Sequence, residues 1–119
     1  MYATEYFERP NGKQPAKEWL DRLPVKHQGP VYDVIGRLED HGLDLLGTNM
    51  LRRIEGSGPN FYELRRGPCR VTVYHDITRN AFVLLHGFLK KRRRERLEID
   101  KARALLREYL GSQGGKADG

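Results

Sequence analysis

Cysteine is close to absent from this chain. Cys69 stands alone, which excludes an internal disulfide framework and a zinc site built on several thiolates, and fits a reducing compartment. Long apolar runs are missing too. Nothing approaches the roughly eighteen consecutive apolar residues that a membrane-spanning helix needs, and the opening MYATEYFERP lacks the basic-then-apolar layout of a secretion signal. The expectation is a soluble, cytoplasmic protein with no membrane partner. There is no internal repeat, no glycine-rich phosphate loop and no carboxylate cage for a metal, and His27, His41 and His75 fall at turns or element ends without paired ligand spacing. No metal or other cofactor is therefore expected. With 119 residues there is room for one domain, large enough to bury a core unaided.

Positive charge, by contrast, is in surplus. Lys and Arg number 22 against 16 Asp and Glu, a formal net charge of +6. The distribution says more than the total. Residues 90–96, KKRRRER, hold six cations and one anion in seven positions, a block whose potential attracts polyanions and is weakened by salt. A solvated turn or a surface for an acidic protein would carry the same block. Its place directly after a buried-looking strand, and not in a loose tail, favours nucleic acid, RNA above all.

Residues 2–7 read as a short strand and residues 9–14 as a turn. Pro15 opens a helix that puts Ala16, Trp19, Leu20 and Leu23 on one face before Pro24 closes it. A second helix is expected from Pro30, since Gly29-Pro30 argues against continuity from Val25; Val31, Val34, Ile35 and Leu38 repeat at helical spacing up to a stop at His41-Gly42. Residues 43–49 are expected to be a loop. Four short strands follow, over 51–55, 61–65, 70–75 and 81–88, separated by turn residues. The last of them, AFVLLHGF, is nearly all apolar, as for a central strand. A final helix over 94–110 would bury Ile99, Ala102, Leu106 and Tyr109, and 111–119 is expected to be a flexible tail. The domain, 1–110, is thus predicted to be α+β: a mostly antiparallel sheet of four to five strands, with two helices before it and one after.

Alternation along the strands places Arg70, Thr72 and Tyr74 opposite Val71 and Val73, and Phe61, Glu63 and Arg65 opposite Tyr62 and Leu64. With valine and leucine facing the core, Glu63, Arg65, Arg70 and Tyr74 should look outward on one concave side, with Lys90 and Lys91 just beyond the last strand. Such a set suits RNA cleavage by the substrate's own 2′-hydroxyl, where guanidinium and ammonium groups stabilise the negative charge that builds on phosphorus. A lysine crowded by cations can also lose its proton more readily. Tyr62 or Tyr74 could stack on a base, and Arg92, Arg93 and Arg94 could follow the backbone. His86, embedded in LLHGF, is either a satisfied core histidine or a minor acid–base group. The plainer alternative is that the arginines only solvate the face and the tyrosines only pack. Cys69 has no base partner and is not expected to act as a nucleophile.

The segments NFYELRRGPCRVTVY and AFVLLHGFLKK, within residues 60–91, together resemble the phage-derived Gp49-like or HigB-like branch of the RelE/ParE toxin superfamily. The likeness extends more loosely over 2–110, through Trp19-Leu20, LEDHG, LRRIEG and EIDKARALLREY. The resemblance implies a RelE-like fold and the toxin half of a type II toxin–antitoxin pair, cleaving messenger RNA in the 30S A site of the ribosome without a metal. Its implied partner is a cognate antitoxin carrying a helix-turn-helix domain. By position, Arg65, Arg70, Lys90 and Lys91 match the family's catalytic basic residues. Two departures stand out. The stretch between the lysine pair and the final helix is Arg/Glu-rich and proline-free, and no Tyr or His follows Lys91 until Tyr109, which leaves the general acid and base unassigned.

Two other functions are compatible with the same residues. One is a ParE-like inhibitor of DNA gyrase with no nuclease role. The other is a binding module whose basic turn docks an acidic antitoxin or ribosomal RNA without catalysis.

Overall fold

Phe82, Val83, Leu84 and Leu85 are each at most 1% exposed, and the strand that carries them is the axis of the molecule. The computed structural model describes residues 1–91 and 94–118. Its elements run β1 (Ala3–Tyr6), α1 (Pro15–Arg22), α2 (Val25–His41), a 3-10 turn (Gly42–Leu45), β2 (Leu51–Arg53), β3 (Phe61–Arg66), β4 (Cys69–Asp76), β5 (Ala81–Leu89) and α3 (Glu95–Asp118). The five strands form one sheet in the order β1-β5-β4-β3-β2. β1 lies parallel to β5, and the other pairs are antiparallel, so the sheet is mixed at one edge.

Both faces of the sheet are covered. Leu20 of α1 and Val31, Val34 and Leu38 of α2 bury one face together with Tyr62, Leu64, Val71, Val73 and Leu84. On the other, α3 lays Ala102, Leu105, Leu106 and Tyr109 over Phe61, Val83 and Leu85. This is why β5 reads as an unbroken apolar run: a strand with helices on both sides has no wet face to mark with polar residues.

One irregularity controls which side chains reach the α3 face. Thr72 pairs with His86 but Val73 pairs with Leu84, so Leu85 is an extra residue in β5. A bulge of this kind reverses the parity of everything beyond it. Leu85 and His86 therefore both face α3, Gly87 turns toward α1, and Phe88 points with Arg70, its cross-strand partner. Gly87 has to be glycine there: a Cβ would stand 2.1 Å from the Trp19 ring.

Two local expectations are corrected. The second helix begins at Val25, not Pro30, and Pro30 lies inside it. Its first turn is held before the proline is reached, by His27 N–H donating to Pro24 O at 2.8 Å and by the Gln28 side-chain amide reaching the last carbonyls of α1, Leu20 O and Asp21 O. The bond that Pro30 cannot make would have gone to Lys26, an exposed residue, where water can satisfy the carbonyl. The final helix also continues past Leu110 to Asp118. Gly111 and Ser112 are exposed, so packing does not account for helix there; Ser112 Oγ–H closes the turn by donating to Tyr109 O at 2.8 Å.

Polar contacts pin the far half of α3. Tyr109 O–H donates to Asp76, Arg79 donates to Tyr109 Oη at 2.8 Å and to both oxygens of Glu5, and Arg9 grips Glu108 with two bonds of 3.0 Å. Burial, then the bond to Asp76, pushes the Tyr109 hydroxyl up to about 12. A group that keeps its proton longer in the folded state stabilises fully below its unfolded value, near 10, and loses that contribution as pH rises toward 12. Urea midpoints measured across that interval should fall more steeply for the native chain than for Tyr109→Phe.

Candidate functional site

The β3–β4 hairpin sets Arg65 directly opposite Arg70. Like charges facing each other across neighbouring strands repel, and Glu63, two residues before Arg65 on the same face, resolves the conflict. Arg65 Nε–H donates to Glu63 Oε1 at 2.8 Å, and Arg70 Nε lies 3.5 Å from that same oxygen. Arg70 folds its Nη1 back onto its own turn, donating to Gly67 O at 2.6 Å and Cys69 O at 3.0 Å. Burial, reinforced by the Arg65 charge and opposed by Glu63 and Glu95, lowers the Arg70 guanidinium from its ordinary value; a guanidinium starts so high that it remains cationic.

Glu63 and Arg70 are 4% and 7% exposed, which corrects the expectation that both look outward. The alternation was right and the solvent was not: α3 covers the face to which they belong. What stays open is a groove of about 530 Å³ between the sheet edge and the start of α3. Arg52, Arg53, Glu63 and Arg65 line it from the strands, and Glu95, Arg96, Ile99 and Arg103 from the helix. Arg52 reaches it because β2 pairs it with Glu63. Arg103 fixes the helix wall, with Nε–H donating to Ser57 Oγ at 2.6 Å and Nη2 to Glu55 O at 3.3 Å. A second hollow of about 310 Å³, lined by Asn49, Met50, Arg66, Gly67 and Arg70, opens beside the first, and Arg65 borders both. Arg65 is thus the ridge between two cation-lined spaces, suited to gripping a phosphate from either side.

The other expected site residues are dispersed. Lys90 is exposed and tied by its backbone N–H to Pro68 O at 2.8 Å. Lys91 lines a different hollow with Trp19, Phe88, Arg94 and Glu98. Tyr62 is 2% exposed on the α2 side of the sheet, so it cannot offer a ring to a base; strand parity puts it in the core, and Arg53 stacks over it at 5.7 Å. Tyr74 is half-buried beneath α3, 5.9 Å from the Tyr109 ring, and is a packing residue. Arg92 and Arg93 lie outside the described residues.

His86 Nε2 stands 2.5 Å from Glu98 Oε2, and its ring stacks 5.9 Å from Phe88. Burial alone would raise the Glu98 carboxyl, but the bonds from His86 and Lys101 outweigh it and hold the group below the usual range. This pair ties the start of α3 to β5 and so sets the width of the groove. Among the described residues no group of three or more His, Cys, Asp or Glu could hold a metal ion, and no helix is long and apolar enough to cross a membrane. Sequence reasoning missed Arg52, Arg96, Arg103 and the role of Glu63. Arg96, Ile99 and Arg103 share one helix face by spacing, a signal that was present; the pairing of Arg52 with Glu63 had none.

A mixed five-stranded sheet with two helices on one face and a last helix on the other is the RelE-like α+β fold. The chain superimposes on the archaeal RelE–RelB complex from Pyrococcus horikoshii OT3 with a TM-score of 0.59 at 19% identity, covering 76% of this chain and 97% of that one. It superimposes on the isolated E. coli RelE toxin with a TM-score of 0.58 at 11% identity, covering 85% and 97%. Within that fold, the chain belongs to the phage derived protein Gp49-like family, whose sequence profile matches residues 18–107. No curated protein matches it in sequence.

Removing Glu63 should reveal its bracing role. Glu63→Ala leaves two guanidinium groups facing each other without a counter-charge and is expected to lower unfolding free energy by about 3 kcal/mol, measured by urea denaturation. Glu63→Ala combined with Arg70→Met should recover part of that loss.

Proposed function

We propose that this chain is the toxin of a type II toxin–antitoxin pair and acts as an endoribonuclease on messenger RNA. The observation that carries the reading is the Arg65–Glu63–Arg70 unit at the border of two open, cation-lined hollows. The likeness in fold to RelE supports it, and the complex from Pyrococcus pairs a RelE with a RelB. By the same reading a cognate antitoxin, with a helix-turn-helix domain, restrains the chain in the cytoplasm.

In this reaction the 2′-oxygen attacks the neighbouring phosphorus as its proton passes to Glu95, the groove carboxylate that is not committed to Arg65 and Arg70. The bond from phosphorus to the 5′-oxygen then breaks. The products are a 2′,3′-cyclic phosphate and, once the leaving oxygen takes a proton from water, a 5′-hydroxyl. Arg65 bears on the phosphate oxygens, where its donors gain most as charge accumulates. Arg70, desolvated and pinned to the turn, supplies a fixed positive field behind it. The reading assigns charge stabilisation to guanidinium groups and needs no metal. The ribosome would present the message and bend it at the A site, since the groove is open and by itself grips few nucleotides.

Expression without antitoxin should arrest growth, and extracts programmed with a defined message should show cut transcripts. Arg65→Ala is expected to lower the cleavage rate about a hundredfold or more in a chain that still folds, since Arg70 remains beside Glu63 as its counter-charge. Messages left whole by the native chain in the presence of ribosomes would overturn the proposal.

A further inference from the structure

Away from the arginine pair, on the side of β5 nearer α1, two further hollows of about 260 and 270 Å³ meet. Trp19 and Gly87 line both. We infer that this place is a second seat for single-stranded RNA, with the Trp19 ring as the platform for a base and the surrounding cations following the backbone on either side. The inference rests on the ribonuclease reading of the Arg65 groove, in that it takes the length of substrate that runs on from the reactive link.

Four observations lead to it. First, α1 spaces Pro15, Glu18, Trp19 and Arg22 by three and four residues, so one helix face looks into the hollow. Gly87 lies beneath the indole, where any Cβ would displace the ring.

Second, the charges there are not self-satisfied. Arg9 is committed to Glu108, but Lys13, Arg22, Lys91 and Arg94 line the two hollows and form no ion pair among the described residues. Third, the two carboxylates that border the space are already engaged. Glu18 accepts from the Gln14 backbone N–H at 2.7 Å, and Glu98 from His86 and Lys101. Unpaired cations around an aromatic ring describe a seat for a polyanion with flat bases, where stacking is indifferent to sequence. Trp19 packs one side against the core, and an acidic protein segment would use the cations but not the part of the ring left open to the hollows.

Fourth, the seat is continuous with the proposed reaction site. Phe88 borders the hollow that holds Lys91 and Arg94, and it is also the cross-strand partner of Arg70. Arg70 and Phe88 are themselves buried, so a chain leaving Arg65 runs over the start of α3, where Arg96 lines the first groove and Arg94 the hollow that holds Lys91 and Trp19. Lys91, which the family resemblance places with the catalytic residues, belongs to this seat.

Trp19 is the only tryptophan, so its emission reports this place and no other. The full chain titrated with a 2′-O-methyl RNA oligonucleotide, which lacks the attacking hydroxyl, should show saturable quenching that weakens as salt rises. The variant carrying Arg22→Glu and Arg94→Glu, both at exposed positions, should bind about tenfold more weakly or worse, and Lys13→Glu should weaken binding in the same direction. Arg65→Ala should leave the quenching curve within about twofold of the native one, since one distant phosphate contact adds little to it. Oligonucleotide binding seen by anisotropy with Trp19 unchanged overturns the inference. So does polyglutamate that quenches and competes as well as RNA, which makes the seat a protein dock. Should messages stay uncut while the quenching and its charge dependence persist, the ribonuclease reading fails alone; should cutting proceed with Trp19 silent, this seat fails alone.

Discussion

Two guanidinium groups placed opposite each other on adjacent strands cannot share a folded protein without something negative between them, and Glu63 is that group. Its Oε1 is 2.8 Å from Arg65 and 3.5 Å from Arg70, and the carboxylate is buried under α3. Burying a charge of either sign alone costs several kcal/mol or more, so the three side chains depend on each other. Arg65 keeps part of its surface in the open while Arg70 gives up nearly all of its own. The division of labour follows: one arginine is free to meet a ligand, and the other holds the turn and the field. Functional positioning and fold stability are therefore the same interaction seen from two sides.

The sheet determines where that unit can act. Its α1–α2 face is an apolar core, open only at the Trp19–Gly87 end of β5. Its α3 face is apolar only toward the Tyr109 end, and toward the start of the helix it turns polar and opens. The extra residue in β5 marks the transition, since it brings His86 and Phe88 onto the α3 face and delivers Gly87 to Trp19. His86 then reaches Glu98 and fixes the helix at the mouth of the groove. Without the bulge, His86 would point toward α1 and Gly87 toward α3, and neither the helix latch nor the Trp19 contact would exist.

Much of this was legible in the residues. The four later strands, the burial of Ala102, Leu106 and Tyr109 along α3 and the assignment of Arg65 and Arg70 to one face all follow from alternation and helical spacing. Ile99, expected in the same stripe, is half-buried and lines the groove. Pairing was not legible. Nothing in LRRI says that Arg52 stands beside Glu63, and nothing in AFVLLHGF announces that one residue is extra. The solvent exposure of Glu63 and Arg70 was misjudged for a related reason: parity tells which face a side chain takes, and only the packing of α3 tells whether that face is wet. Gly29-Pro30 misled because a proline ends a helix only when no earlier turn is anchored, and Gln28 anchors this one through α1. The KKRRRER block is divided between two hollows, Lys91 and Arg94 lining the one at Trp19 and Arg96 the groove at Arg65, a split that sequence alone did not indicate.

A shared fold does not settle chemistry; what distinguishes a guanidinium-based ribonuclease is its demand for the substrate's own hydroxyl. The direct measurement maps a cut in a ribosome-bound message with the purified chain. The 2′-hydroxyl at that link is then replaced by hydrogen. The account predicts that the all-ribose message is cut to a 2′,3′-cyclic phosphate and a 5′-hydroxyl, and that the single deoxy link is left intact. Cutting that continues across the deoxy link, or that leaves a 3′-hydroxyl and a 5′-phosphate, would contradict it.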